Sequence, residues 1–98
     1  MDRNNNNEIC EISNLLSNTN DREEITKFFN EILTDNEIDT LSKRWRLMKF
    51  LKQGYTQREI AKELKISLCK ITRGSKILKS KNSVIAKYLT KEKNNEYE

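Results

Sequence analysis

The sequence predicts an all-α fold, and three observations lead there. The 98 residues hold no Pro and only two Gly, Gly54 and Gly74; a β-rich domain of this size needs more turn residues. Apolar side chains recur at helical spacing along most of the chain. Two Thr-x-x-Glu runs, Thr34-Asp35-Asn36-Glu37 and Thr56-Gln57-Arg58-Glu59, have the form of capping boxes that open helices.

Six helices are expected. The Asn-rich start reads as a disordered arm over residues 1–8. Ile9, Ile12, Leu15 and Leu16 place a first helix that ends near Asn18, before the breaker Asn-Thr-Asn-Asp. Ile25, Phe28, Phe29, Ile32 and Leu33 form the stripe of a second. The Thr34 box starts a third helix from Asp35 to about Lys52, which Gly54 stops. The Thr56 box starts a fourth, to about Leu64. Ser67 caps a fifth that runs to about Arg73, with Gly74 as a natural stop. A sixth covers Lys81 to Tyr88 and frays into a charged tail over 91–98, so the folded domain spans 9–90.

In the third helix, Ile38, Leu41, Trp45, Met48 and Leu51 make one apolar face. Arg44 shares that side, while Arg46 and Lys49 point away from it. A buried guanidinium needs acceptors or an aromatic face. Either its stem snorkels to solvent or it has a partner to be found.

Charge is unevenly distributed. Residues 1–40 carry three basic and ten acidic side chains, a balance of −7; residues 41–98 carry sixteen basic and five acidic, a balance of +11. A basic C-terminal part is the electrostatic footprint of a nucleic-acid binder. There is no His, so a Cys/His zinc site and His general acid–base catalysis are excluded. Cys10 and Cys69 lie far apart, without CxxC spacing. With no phosphate-binding loop either, no catalytic residues, metal or cofactor are expected, and an enzyme is the least favoured class. No signal peptide or membrane span is legible, which predicts a soluble cytoplasmic protein.

The segment 56–75 has the pattern of a helix-turn-helix. Ile60, Ala61, Leu64, Ile66 and Ile71 fall where that motif packs its two helices together. The N-terminal end of the second helix would enter the major groove. Leu68, Cys69 and Lys70 would then face base edges, with Thr72 and Lys79 further along the same surface. Gln57 and Arg58 would grip the backbone or base edges nearby. The turn position, commonly Gly, is Lys65, and a non-Gly residue at φ > 0 costs roughly 1 kcal/mol, so a slightly altered turn is expected.

The runs "TQREIA" and "ITRGS", followed by Leu78-Lys79, resemble the tryptophan operon repressor family. "LTDNEIDTLSKRWRLMKFL" resembles the segment that precedes the helix-turn-helix in that family. The resemblance covers about Leu15 to Lys79. It implies an intertwined homodimer that binds operator DNA as a transcriptional repressor, with L-tryptophan as corepressor. It would make Arg73 the partner of the corepressor carboxylate and put Arg44 across the indole, so that two guanidiniums sandwich the ring. Thr34 would lie near the carboxylate. Backbone carbonyls of Glu31 and Leu33 from the partner subunit would receive the ammonium. Gly74 would leave room beside the indole, and Met48 would line the pocket.

The residue types fit: Arg offers paired donors to a carboxylate and stacks on indole, and helix C-terminal carbonyls suit an ammonium. Three features depart from the family pattern. Ile77 replaces a small polar residue, Gly54-Tyr55-Thr56 is one residue short, and Lys70 and Lys76 add charge at the reading helix. The alternatives are a regulator of the same fold that answers to another ligand or to none, and a helical protein-interaction module.

Overall fold

The computed structural model describes residues 6–96 by backbone and residues 6–91 by side chain. The helices are α1 (Asn7–Ser17), α2 (Arg22–Ile32), α3 (Asp35–Lys52), α4 (Gln57–Leu64), α5 (Leu68–Lys79) and α6 (Val84–Glu96). No strand occurs among the described residues. The chain divides into two units, one up to Ile38 and one from Asp39 on.

Local capping explains most helix starts. The Asn6 side-chain oxygen accepts from the Ile9 N–H at 2.9 Å, so α1 starts two residues before Ile9. Part of the expected arm is therefore helical; residues 1–5 lie outside the described ones. The Asp21 carboxylate accepts from Glu23 N–H at 3.0 Å and opens α2. Thr34 and Glu37 form the expected reciprocal box: Thr34 N–H donates to Glu37 Oε1 at 2.8 Å and Glu37 N–H to Thr34 Oγ1 at 3.2 Å.

α1 and α2 are amphipathic, yet neither contains a buried residue. Ile9 is 54% exposed, Leu15 48% and Ile32 53%.

The C-terminus of α3 is a Schellman motif. Gly54 N–H donates to Leu51 C=O at 3.2 Å and Tyr55 N–H to Phe50 C=O at 3.0 Å. Gly54 has φ +93°, which glycine reaches without strain. The motif's usual apolar contact is made by Phe50 and Tyr55, whose rings stack at 4.7 Å with planes 4° apart. Gly54 is thus the stop that the sequence indicated.

The core of the second unit is built by Leu47, Ile60, Leu64 and Ile71, with Phe50, Leu51, Ala61 and Ile66 packed against it. Ile60 and Ile71 are fully buried. These are the expected helix-turn-helix positions, together with Leu47, which lies outside the stripe predicted for α3. That stripe needs correction in part, for Met48 is buried as expected and Leu51 packs against the core. Leu47 and Met48 are buried, whereas Leu41 is 46% and Trp45 37% exposed. Arg44 is exposed too; the covered side of α3 in this unit is centred on Leu47, one turn along.

α5 and α6 depart from their expected limits. α5 does not end at Arg73-Gly74 but continues to Lys79, because Gly74 serves a close helix contact rather than a stop. Ser83 opens α6 by accepting from Ala86 N–H at 3.0 Å. That helix starts later than Lys81 and continues past Tyr88 to Glu96, into the stretch read as a frayed tail. It packs on α5, and its Leu89 is buried.

Candidate nucleic-acid interface and ligand cleft

α4 starts from a complete capping box. Thr56 N–H donates to Glu59 Oε1 at 2.8 Å, and Glu59 N–H donates to Thr56 Oγ1 at 3.1 Å. The backbone hydrogen bond from Thr56, and then its side chain, hold the Glu59 carboxyl below its ordinary value of 4.5. This rigid start presents Gln57 and Arg58, both exposed, on the first turn.

The turn between α4 and α5 has regular geometry despite its residue. Lys65 sits at φ 55°, ψ 47°, in the left-handed region, and its N–H donates to Ala61 C=O at 2.9 Å. No other non-Gly residue among those described has positive φ. The turn is therefore not altered to suit Lys65; instead Lys65 takes the conformation that glycine normally fills.

Ser67 caps α5, its hydroxyl accepting from Lys70 N–H at 3.4 Å. Ile71 and Gly74 are the buried positions of that helix. At about 100° per residue, the opposite face carries Leu68, Cys69, Thr72, Lys76 and Lys79, all exposed. Leu68 is 58% exposed, and the Cys69 thiol is free, as is that of Cys10. This is the surface that a reading helix offers to a groove.

Lys70 is exposed as well, and it also faces a cleft. With Arg73, Gly74 and Ile77 it forms an i, i+3, i+4, i+7 stripe along α5. It lines a cleft of about 340 Å³ with Thr40, Lys43, Arg44, Leu47, Lys65, Ile66 and Ser67. The structure thus sets Lys70 beside Arg44 as well as beside Leu68 and Cys69, with which the sequence had grouped it.

Gly74 is where α5 meets α3. A Cβ built there would come 3.2 Å from Leu47 Cδ2 and 3.2 Å from Leu51 Cδ1. Glycine at this point lets two helices approach more closely than an alanine would. Arg73, next to it, is exposed, Ile77 is half-buried, and Met48 of α3 is buried. Arg44 stands one turn before Leu47 on α3 and lines the cleft, which Arg73 does not.

In the first unit, Thr34 is tied into its capping box. Glu31 and Leu33 lie at the C-terminal end of α2, where carbonyls lack intrahelical donors. The Glu31 side chain also lines a shallow groove with Leu15, Thr19, Glu24, Ile25, Lys27 and Phe28.

Thr40 and Lys43 are cleft residues that the sequence did not single out, and Lys65 and Ile66 are ones it marked only as turn and packing positions. Lys43 and Leu47 follow Thr40 at helical spacing, but no local pattern tells which part of α3 faces the turn after α4.

A family model described as Trp repressor protein matches residues 7–93. The chain belongs to the Trp repressor family. One curated relative, an uncharacterized protein YerC of Bacillus subtilis (strain 168), is 30% identical over 91 residues, covering 93% of this chain and 88% of its own. No solved structure gives a significant match. Trp repressor is itself a standard example of the docking geometry invoked for α4 and α5. The chain is accordingly a helix-turn-helix DNA-binding regulator of that family, and no helix among the described residues is long and apolar enough to cross a membrane.

Proposed function

We propose that this member of the Trp repressor family is a homodimeric transcriptional repressor whose hold on operator DNA is set by L-tryptophan. The observation that carries the ligand half is the α3–α5 contact at Gly74. It brings a guanidinium-bearing stretch of α3 against the helix that reads DNA. A ligand between Arg44 and Arg73 would act directly on the orientation of α5. The planar donors of both Arg residues suit a carboxylate and an indole face.

The dimer is supported by the uncovered apolar residues of α1 and α2. Amphipathic helices with no buried residue do not hold a fold alone. A second copy would cover them and bring the Glu31 and Leu33 carbonyls to the ligand of its partner. Two reading helices would then face successive major grooves, about 34 Å apart.

Isothermal titration of L-tryptophan into the full chain, with and without duplex DNA, tests the ligand. Binding at micromolar to millimolar concentration, tightened by operator DNA through linkage, is the expected result. No heat under either condition would remove L-tryptophan from the account. Sedimentation equilibrium should return twice the 11.6 kDa chain mass; a monomer would remove the dimer.

A regulator of the same fold with a different ligand is the second reading. It is favoured by the half-buried apolar Ile77 and by the cation Lys70 beside Arg44.

A further inference from the structure

The cleft between α3 and the turn after α4 has an unusual lining. Four of its residues are cations, Lys43, Arg44, Lys65 and Lys70; two carry hydroxyls, Thr40 and Ser67; two are apolar, Leu47 and Ile66; none is acidic. Lys43 is partly neutralised, its Nζ 3.4 Å from Asp39 Oδ2 one turn back. No described carboxylate lies within ion-pair distance of Arg44, Lys65 or Lys70. Three clustered like charges repel one another and favour an anion between them.

Two further features point the same way. The cleft lies at the N-terminus of α5, a 12-residue helix, whose first N–H groups and dipole favour negative charge. The Ser67 oxygen accepts from Lys70 N–H at 3.4 Å, and a hydroxyl that accepts still has its own O–H to donate. Lys65 holds its left-handed conformation at a cost that glycine would not incur; what lysine adds at that position is a cation in the cleft.

We propose that this cleft binds a small phosphate-bearing polyanion, and that its occupancy weakens the hold of α5 on DNA. Lysines act as point charges toward phosphate, while Arg44 supplies paired donors. The hydroxyls complete the shell, and Leu47 with Ile66 form an apolar floor for the body of a phosphate ester. The anion neutralises Lys65 and Lys70 at the end of the helix that meets the duplex, so bound anion and DNA phosphates oppose each other. The proposal shares Arg44 with the L-tryptophan reading, and it rests on Lys65, Ser67 and Lys70, which that reading does not use.

Calorimetry with inorganic pyrophosphate, at ionic strength held constant with chloride, provides the test. One site per chain is expected for the parent. Lys65→Gly and Lys70→Gln should each weaken it at least 5-fold, whereas Arg58→Gln, outside the cleft, should leave it unchanged. Lys65→Gly should also raise the melting temperature, so its weaker binding cannot be laid to unfolding. Saturating pyrophosphate should weaken duplex binding more than chloride of equal ionic strength does. Absence of pyrophosphate binding overturns the proposal, as does equal weakening by Arg58→Gln, which would mean diffuse attraction. In the first of these cases, a flatter salt dependence of duplex binding in the two cleft substitutions would mean that the cations serve a DNA backbone phosphate.

Discussion

Gly74 of α5 lies so close to Leu47 of α3 that an added Cβ would stand 3.2 Å from Leu47 Cδ2. This contact ties the reading helix to the longest helix of the chain. A single methyl gains about 0.5–1 kcal/mol of helix propensity over glycine, and crowding of the two Leu methyl groups offsets it. Gly74→Ala should therefore shift stability by less than about 1 kcal/mol. Gly74→Val, with two more carbons, should cost about 1–3 kcal/mol through overpacking. Urea unfolding midpoints of both variants check this, and a tolerated valine would mean that the helices are not held so closely.

Lys65 makes a prediction of opposite sign. Glycine there takes the same φ 55°, ψ 47° without a Cβ clash, so Lys65→Gly should stabilise the fold by roughly 1 kcal/mol. The larger unfolded-state entropy of glycine subtracts from that gain. Thermal or urea unfolding of the purified variant measures the balance, and a lower midpoint than that of the parent would contradict a strained lysine.

Glu59 couples the start of α4 to pH. Its carboxyl lies below 4.5 in the folded chain because Thr56 donates to the ionised form. A depressed carboxyl adds stability that is fully present above the unfolded value and is lost as pH falls through the folded one. The melting temperature of the parent should therefore exceed that of Glu59→Gln at neutral pH, and the gap should close as pH drops below about 4.5. A gap that stays constant from neutral to acid pH would show that Glu59 does not act through its charge.

Much of this molecule could be read from sequence because its controlling interactions are local. The boxes at Thr34 and Thr56 and the Ser67 cap are settled within four residues. Ile60, Ala61, Leu64, Ile66 and Ile71 announce the helix-turn-helix through spacing alone. Gly74 reads locally as a helix stop because glycine carries one local signal for two uses, ending a helix or admitting a neighbour. Only the approach of Leu47 and Leu51 decides between them. Gly54, with positive φ and the Schellman bonds, shows the first use in the same chain.

Arg44 illustrates another limit. Periodicity gives the direction of a side chain on α3, not which element comes to cover it. The structure leaves Leu41 and Trp45 half open and concentrates packing at Leu47, so Arg44 lies at the rim of a cleft instead of in the core. Lys70 follows Leu68 and Cys69 in the first turn of α5, and helical spacing also sets it beside Arg73 and Gly74, on the side of the cleft.

The central claim is that the start of α4 and the outward face of α5 dock on duplex DNA. Fluorescence anisotropy of a labelled duplex, titrated with the parent and with Arg58→Ala over a series of salt concentrations, tests it most directly. Arg58 is exposed on the first turn of α4. Its loss should weaken binding to any duplex and lower the slope of log affinity against log salt by about one unit. Equal affinities for parent and variant across the whole titration would contradict this docking.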